Sequence, residues 1–176
     1  MVIRALSVFI LLVLAASHIA VSEEKKAPPQ ITMGNGEANA IELEGLARKA
    51  GEATFSEIRI DGSQVSTLRA NTTAIIFPKV LTEQSGWLVL HPVIDGRPDG
   101  DMVSGFTYLE PGENSDVTLQ VDHPADPGDK FLVMLHKDAD QDRVFDFVFL
   151  EDGINVEDGA VFEGTHMIAH IITVPE

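Results

Sequence analysis

The stretch FLVMLHKDADQDRVFDFVF (residues 131–149) sets two apolar runs on either side of a carboxylate-rich loop. The first run ends in His136, and the second begins at Val144. Both runs are short and rich in β-branched and aromatic residues, so they read as strands joined by an acidic turn. Asp138, Asp140, Asp142 and Asp146 fall at positions 1, 3, 5 and 9 of a calcium-binding loop, with Val144 at position 7. Alternate residues of a tightly wound loop point inward, so four carboxylates and the Val144 carbonyl can gather around one hard cation. Two positions depart from an EF-hand. Arg143 stands where glycine makes the sharp turn, and Phe149 stands where a bidentate glutamate closes the shell. The flanks are also strands, not helices. A strand-flanked calcium loop remains one expectation. The other is a solvated acidic hairpin turn, with Arg143 neutralising part of the cluster.

Outward from this stretch the β pattern repeats. Segments 87–94, 102–109, 115–121, 130–136, 144–150 and 166–174 have strand character, and Gly, Pro, Asp and Asn mark most joints between them. Before them, Phe55, Ile58 and Ile60 precede the turn dipeptide Asp61-Gly62, and residues 65–70 and 72–80 continue the pattern. Pro78 implies an edge or a bulge. Many short strands at regular spacing indicate an all-β antiparallel sandwich or barrel. Residues 40–51 (AIELEGLARKAG) place acids first and Arg48-Lys49 last before Gly51, which predicts a short N-terminal helix weakened by Gly45. Strictly alternating strand direction would set loops 95–101, 122–129 and 151–165 at one end, and 110–114 and 137–143 at the other.

Residues 1–22 have the form of a secretory signal: Arg4, an apolar core, and Ala20-Val21-Ser22 as a small-x-small cleavage site. An uncleaved anchor is the alternative. The expected organisation is a signal peptide over 1–22, a flexible segment over 23–52 and a β-sandwich domain over 53–176. The chain carries 28 acidic and 12 basic residues, a formal net charge of −16. Such a surface repels phosphate backbones and anionic lipid, so neither nucleic acid nor, after cleavage, a membrane is an expected partner. Cysteine is absent, which excludes disulfide staples, thiolate zinc and blue copper.

Three stretches together, GWLVLHPVIDGRPDG (86–100), the 131–149 stretch and AVFEGTHMIAH (160–170), resemble an uncharacterised secreted domain family of archaeal and bacterial exported proteins, a domain of unknown function. The resemblance covers roughly residues 53–176. It implies an immunoglobulin-like or cupredoxin-like sandwich, and it brings no activity and no catalytic residues.

No nucleophile elbow surrounds Ser85 or Ser104, and no glycine-rich phosphate loop stands between a strand and a helix. Paired catalytic carboxylates cannot be picked from so many acidic loops. Of His91, His123, His136, His166 and His170, each has a structural role as its first expectation. On the parity argument the best metal-binding pair is His123 with His166. The expectation is an exported, non-enzymatic binding or structural module with an unknown protein or surface partner. It would be secreted, periplasmic or on the cell surface, with calcium as the cofactor of the 138–146 loop. The alternative is a copper- or zinc-binding protein that uses histidines.

Overall fold

The computed structural model describes residues 30–52, 54–60, 63–69, 72–150, 153–156 and 158–176, so the signal-like segment lies outside the described residues. The strands are β1 (Thr32–Gly34), β2 (Ala40–Ile41), β3 (Ala47–Ala50), β4 (Thr54–Ile60), β5 (Ser63–Arg69), β6 (Thr73–Thr82), β7 (Gly86–Ile94) and β8 (Arg97–Pro98). After them come β9 (Gly105–Leu109), β10 (Gly112–Val121), β11 (Lys130–Lys137), β12 (Phe147–Leu150), β13 (Gly153–Val156), β14 (Phe162–Glu163) and β15 (His166–Thr173). The described residues contain no helix.

Two sheets form a sandwich. The first runs β1-β15-β11-β7, with β8 and β9 also on β7 and β14 on β15. The second runs β10-β6, and β2 and β3 share the other side of β6. The hairpins β4–β5 and β12–β13 are separate two-stranded units. The period-two alternation of β10 sends Val117, Leu119 and Val121 inward, and β11 does the same with Phe131, Val133 and Leu135. These meet Ile75 and Phe77 of β6, Leu88 and Leu90 of β7, and Ile168 and Ile172 of β15 in one core between the sheets.

The helix expected over residues 40–51 is instead β2, a turn and β3. The cause is Pro78. It has no N–H to give, and it sits inside β6 where β2 pairs Val80 and Leu81 and β3 pairs residues from Thr73 to Ile76. The connection between β2 and β3 passes this gap. Gly45 has φ +91° there, a value no helix uses. Burial of Ile41 in the core outweighs the helix-like charge order. Pro78 is therefore interior to the sheet, not at its edge. Opposite it, Asp116 of β10 takes φ +51°, which marks the disturbance in the ladder. The antiparallel expectation has one exception among the described pairs: β1 runs parallel to β15, matching Met33 with Met167. Segment 30–52 thus supplies strands to both sheets.

Loop placement follows from register. Pro92 pairs Phe131, so loops 95–101 and 122–129 share an end, and Arg143 bonds Glu110 at 2.7 Å, so 110–114 and 137–143 share the other. The 151–165 connection departs from the expected end. Met134 pairs Ala169 and Lys130 pairs Thr173, so β15 starts at the C-terminal end of β11. Strands β12 and β13 pair with each other as a separate hairpin, and its second strand reverses the parity. The 158–163 segment then lies along β11, with Ala160 bridged to His136 and the Val161 N–H donating to the Leu135 carbonyl at 2.8 Å.

Candidate metal centre

The acidic loop leaves β11 at Asp138, whose N–H donates to the Ser85 carbonyl at 3.1 Å. Short side-chain turns then wind it. The Asp142 N–H donates to Asp140 Oδ1 at 3.3 Å, and the Val144 N–H donates to Asp142 Oδ1 at 2.7 Å. Arg143 takes φ +63°, the left-handed conformation for which a calcium loop uses glycine at this position. Its guanidinium does not neutralise the cluster. It bonds Glu110 and lies 4.9 Å above the Tyr108 ring.

Five residues were expected around one ion, and the geometry divides the carboxylates into two groups that share Asp140. Asp138, Asp140 and Asp158 offer oxygens within 4.8 Å of one another, and so do Asp140, Asp142 and Asp146. Asp138 and Asp158 are buried, Asp140 and Asp142 are exposed, and Asp146 and Val144 are half-buried. Asp138 is 4% exposed, and among the described residues neither of its carboxylate oxygens has a hydrogen-bond partner. A buried carboxylate without donors costs several kcal/mol unless a cation or proton meets it (roughly, at effective protein dielectrics).

Asp158 was missed as a member of this cluster because parity placed it at the far end. The strand character of GINV (153–156), had it been counted, would have placed it correctly. Asp158 is fully buried and ties the loop to the sheet. Its Oδ1 accepts the Ala139 N–H at 3.0 Å, and its Oδ2 accepts the Asp146 N–H and the Trp87 indole N–H, each at 3.1 Å. Burial pushes its carboxyl up from the ordinary value. The donors from Ala139, Asp146 and Trp87 oppose this, and the charge of Asp138 adds to it.

Behind Asp158 the sheet carries two buried imidazoles. His91 of β7 and His136 of β11 stand with Nε2 atoms 3.3 Å apart. His91 Nδ1 is 2.7 Å from the Met102 carbonyl, and His136 Nδ1 is 2.7 Å from the Asp158 carbonyl. Phe147 packs edge-on against both rings, and Phe145 against His136. Burial lowers both pKa values, that of His136 to about 4. The two carbonyls oppose the shift, as do the charges of Asp99 and Asp101 at His91.

The other histidines are apart. His123 bonds Asp122 at 2.6 Å and packs on Phe131, whereas His166 bonds Thr32 Oγ1 at 2.7 Å at the opposite end of β15. The eight residues from His166 to Thr173, the partner of Lys130, span roughly 23 Å, so the expected His123–His166 pair cannot hold one ion. His170 bonds Asn35 Oδ1 at 2.8 Å.

A model of a domain of unknown function (DUF7282) matches residues 62–169, more than half of the chain. The chain belongs to the DUF7282 family. This DUF7282 match contains β5 through the first half of β15, and with them Asp138, Asp140, Asp158, His91 and His136. The DUF7282 chain is also similar to two proteins of Haloarcula hispanica. It is 26% identical to cell surface glycoprotein 1 over 128 residues, which is 72% of this chain and 12% of that protein. It is 27% identical to cell surface glycoprotein 2 over 109 residues, 62% of this chain and 10% of that protein. The DUF7282 chain thus spans about an eighth or less of the curated relatives it matches. No solved structure matches it.

Proposed function

We propose that this chain is an exported, non-enzymatic module of a cell surface, and that calcium stabilises it at the acidic loop. The observation that carries the calcium reading is the buried Asp138 carboxylate, without a donor among the described residues and within 4.8 Å of Asp140 and Asp158 oxygens. Asp138, Asp140 and Asp158 would supply the inner oxygens. Asp142, Asp146 and the Val144 carbonyl would complete or extend the shell on the solvent side. An all-oxygen set of this charge suits calcium, which accepts six to eight oxygen ligands. Export and surface location rest on the signal-like segment 1–22 and on the names of the two Haloarcula relatives. A net charge of −16 suits a surface bathed in cations, where it keeps the protein soluble. The partner is then a protein or another component of that surface.

The test is calorimetric unfolding of the metal-stripped protein with calcium and with magnesium, alongside labelling of the chain on intact cells. The expected results are a rise in Tm with calcium that exceeds the magnesium response, and surface labelling. An unchanged Tm at millimolar calcium removes the calcium reading, and labelling only after lysis removes the surface reading.

A further inference from the structure

The contact between His91 and His136 cannot be satisfied by two neutral rings. A backbone carbonyl only accepts, so the 2.7 Å contacts to Met102 O and Asp158 O place a proton on each Nδ1. A neutral imidazole has one N–H. Both Nε2 atoms then present lone pairs to each other across 3.3 Å, in a place where His91 is 0% and His136 is 2% exposed. Three contacts require a positive centre that two neutral rings do not contain.

A metal ion takes both lone pairs. Two imidazole nitrogens bound at about 2.0–2.1 Å with tetrahedral to trigonal angles stand about 3.3–3.6 Å apart. Nδ1 donation to a carbonyl is also the support that metal-binding histidines use to fix tautomer and ring direction.

Register supplies a further donor. His91 pairs Leu132 and His136 pairs Trp87, so the Val89–Met134 pair lies between them on the same face of the sheet. Met134 is buried there. Two neutral imidazoles with a methionine between them in register, and no thiolate, suit a soft monovalent ion better than a hard divalent one. We propose that His91 and His136, with Met134 between them in register, form a Cu(I) site on the outer face of the first sheet. It shares no ligand with the calcium reading and does not rest on it.

The full chain, stripped of metal and titrated anaerobically with Cu(I) against a chromophoric Cu(I) chelator, is expected to retain one equivalent. X-ray absorption of that complex is expected to show two imidazole nitrogens. His91→Gln and His136→Gln should each weaken retention beyond the roughly 10–100-fold that loss of an outer-shell partner costs. Met134→Leu should weaken it less, and His123→Gln, at a histidine apart from this pair, should leave it unchanged. Failure to retain Cu(I), retention of zinc in its place, or fewer than two imidazoles in the wild-type spectrum would overturn the proposal. The wild-type spectrum needs no variant to fold.

Discussion

Replacing Asp138 by Asn tests the acidic site most directly, because it keeps shape and removes one charge. Asp138 and Asp158 are both buried, with oxygens within 4.8 Å. At an effective dielectric of about 20, two unit charges at that distance repel by roughly 3 kcal/mol. The exposed Asp140 adds a smaller, screened increment. Without a cation, Asp138→Asn should therefore stabilise the fold by about 2–3 kcal/mol. For a chain of this size that is a rise in Tm of roughly 4–12 °C. With calcium the order reverses. A ligand at a thousand times its Kd stabilises the wild type by about 4.1 kcal/mol, more than the advantage of the variant, and the variant should lose most of that gain. Scanning calorimetry of both proteins, in chelator and in millimolar calcium, should give melting temperatures that cross. Equal destabilisation of the variant in both buffers would refute the reasoning, because Asp138 would then be held by protein contacts and not by repulsion relieved with a cation.

Three further perturbations report on neighbouring parts. Glu163 accepts bonds from the backbone of Glu37, Ala38 and Asn39 and from the Asn39 side chain, and the Asn39 amide leads in holding its carboxyl below the ordinary value of 4.5. Its contribution is therefore complete above pH 4.5 and is lost as pH falls through the lowered value; Glu163→Gln should flatten that acid limb and speed hydrogen exchange at residues 37–39. Trp87→Phe removes the indole bond to Asp158 and part of the packing on Phe106, Tyr108 and Phe145, and should cost about 2–3 kcal/mol by denaturant titration. Gly86→Ala would drive a Cβ into the His136 carbonyl oxygen on the neighbouring strand, so a loss near the upper end of about 1–3 kcal/mol is expected in the same titration.

Strands β6, β7, β9, β10, β11 and β15 were legible because each is a run of apolar and β-branched residues with Gly, Pro, Asp or Asn at most of the joints, a pattern that local chemistry alone can write, whereas β8, β13 and β14 are too short to show it. The 40–51 segment was not legible, because its fate depends on Pro78 in a strand more than 25 residues away. The outline of the acidic loop was visible in the spacing of Asp138, Asp140 and Asp142, yet its buried member Asp158 was hidden by a single uncounted strand. Likewise His91 and His136, 45 positions apart, meet only once the β7–β11 register sets them on either side of the Val89–Met134 pair.

Asp158 gives these two hidden features a common physical basis. Its carboxylate faces Asp138 and Asp140, while its backbone carbonyl accepts from His136. A residue that carried only the loop would need donors to its side chain alone, and one that served only the histidine would need no carboxylate. Asp158 has both, and the Trp87 indole holds it from the sheet side. A cation that draws the Asp158 carboxylate toward Asp138 therefore acts on the same short segment that fixes the His136 tautomer. Trp87, the chain's single tryptophan, sits against that segment and is placed to report on it by fluorescence. A calcium-dependent emission change in the wild type that is absent in Asp138→Asn would tie the acidic loop to the sheet through Asp158. A change that persists in Asp138→Asn would separate the indole from the loop and leave Asp158 a purely structural brace.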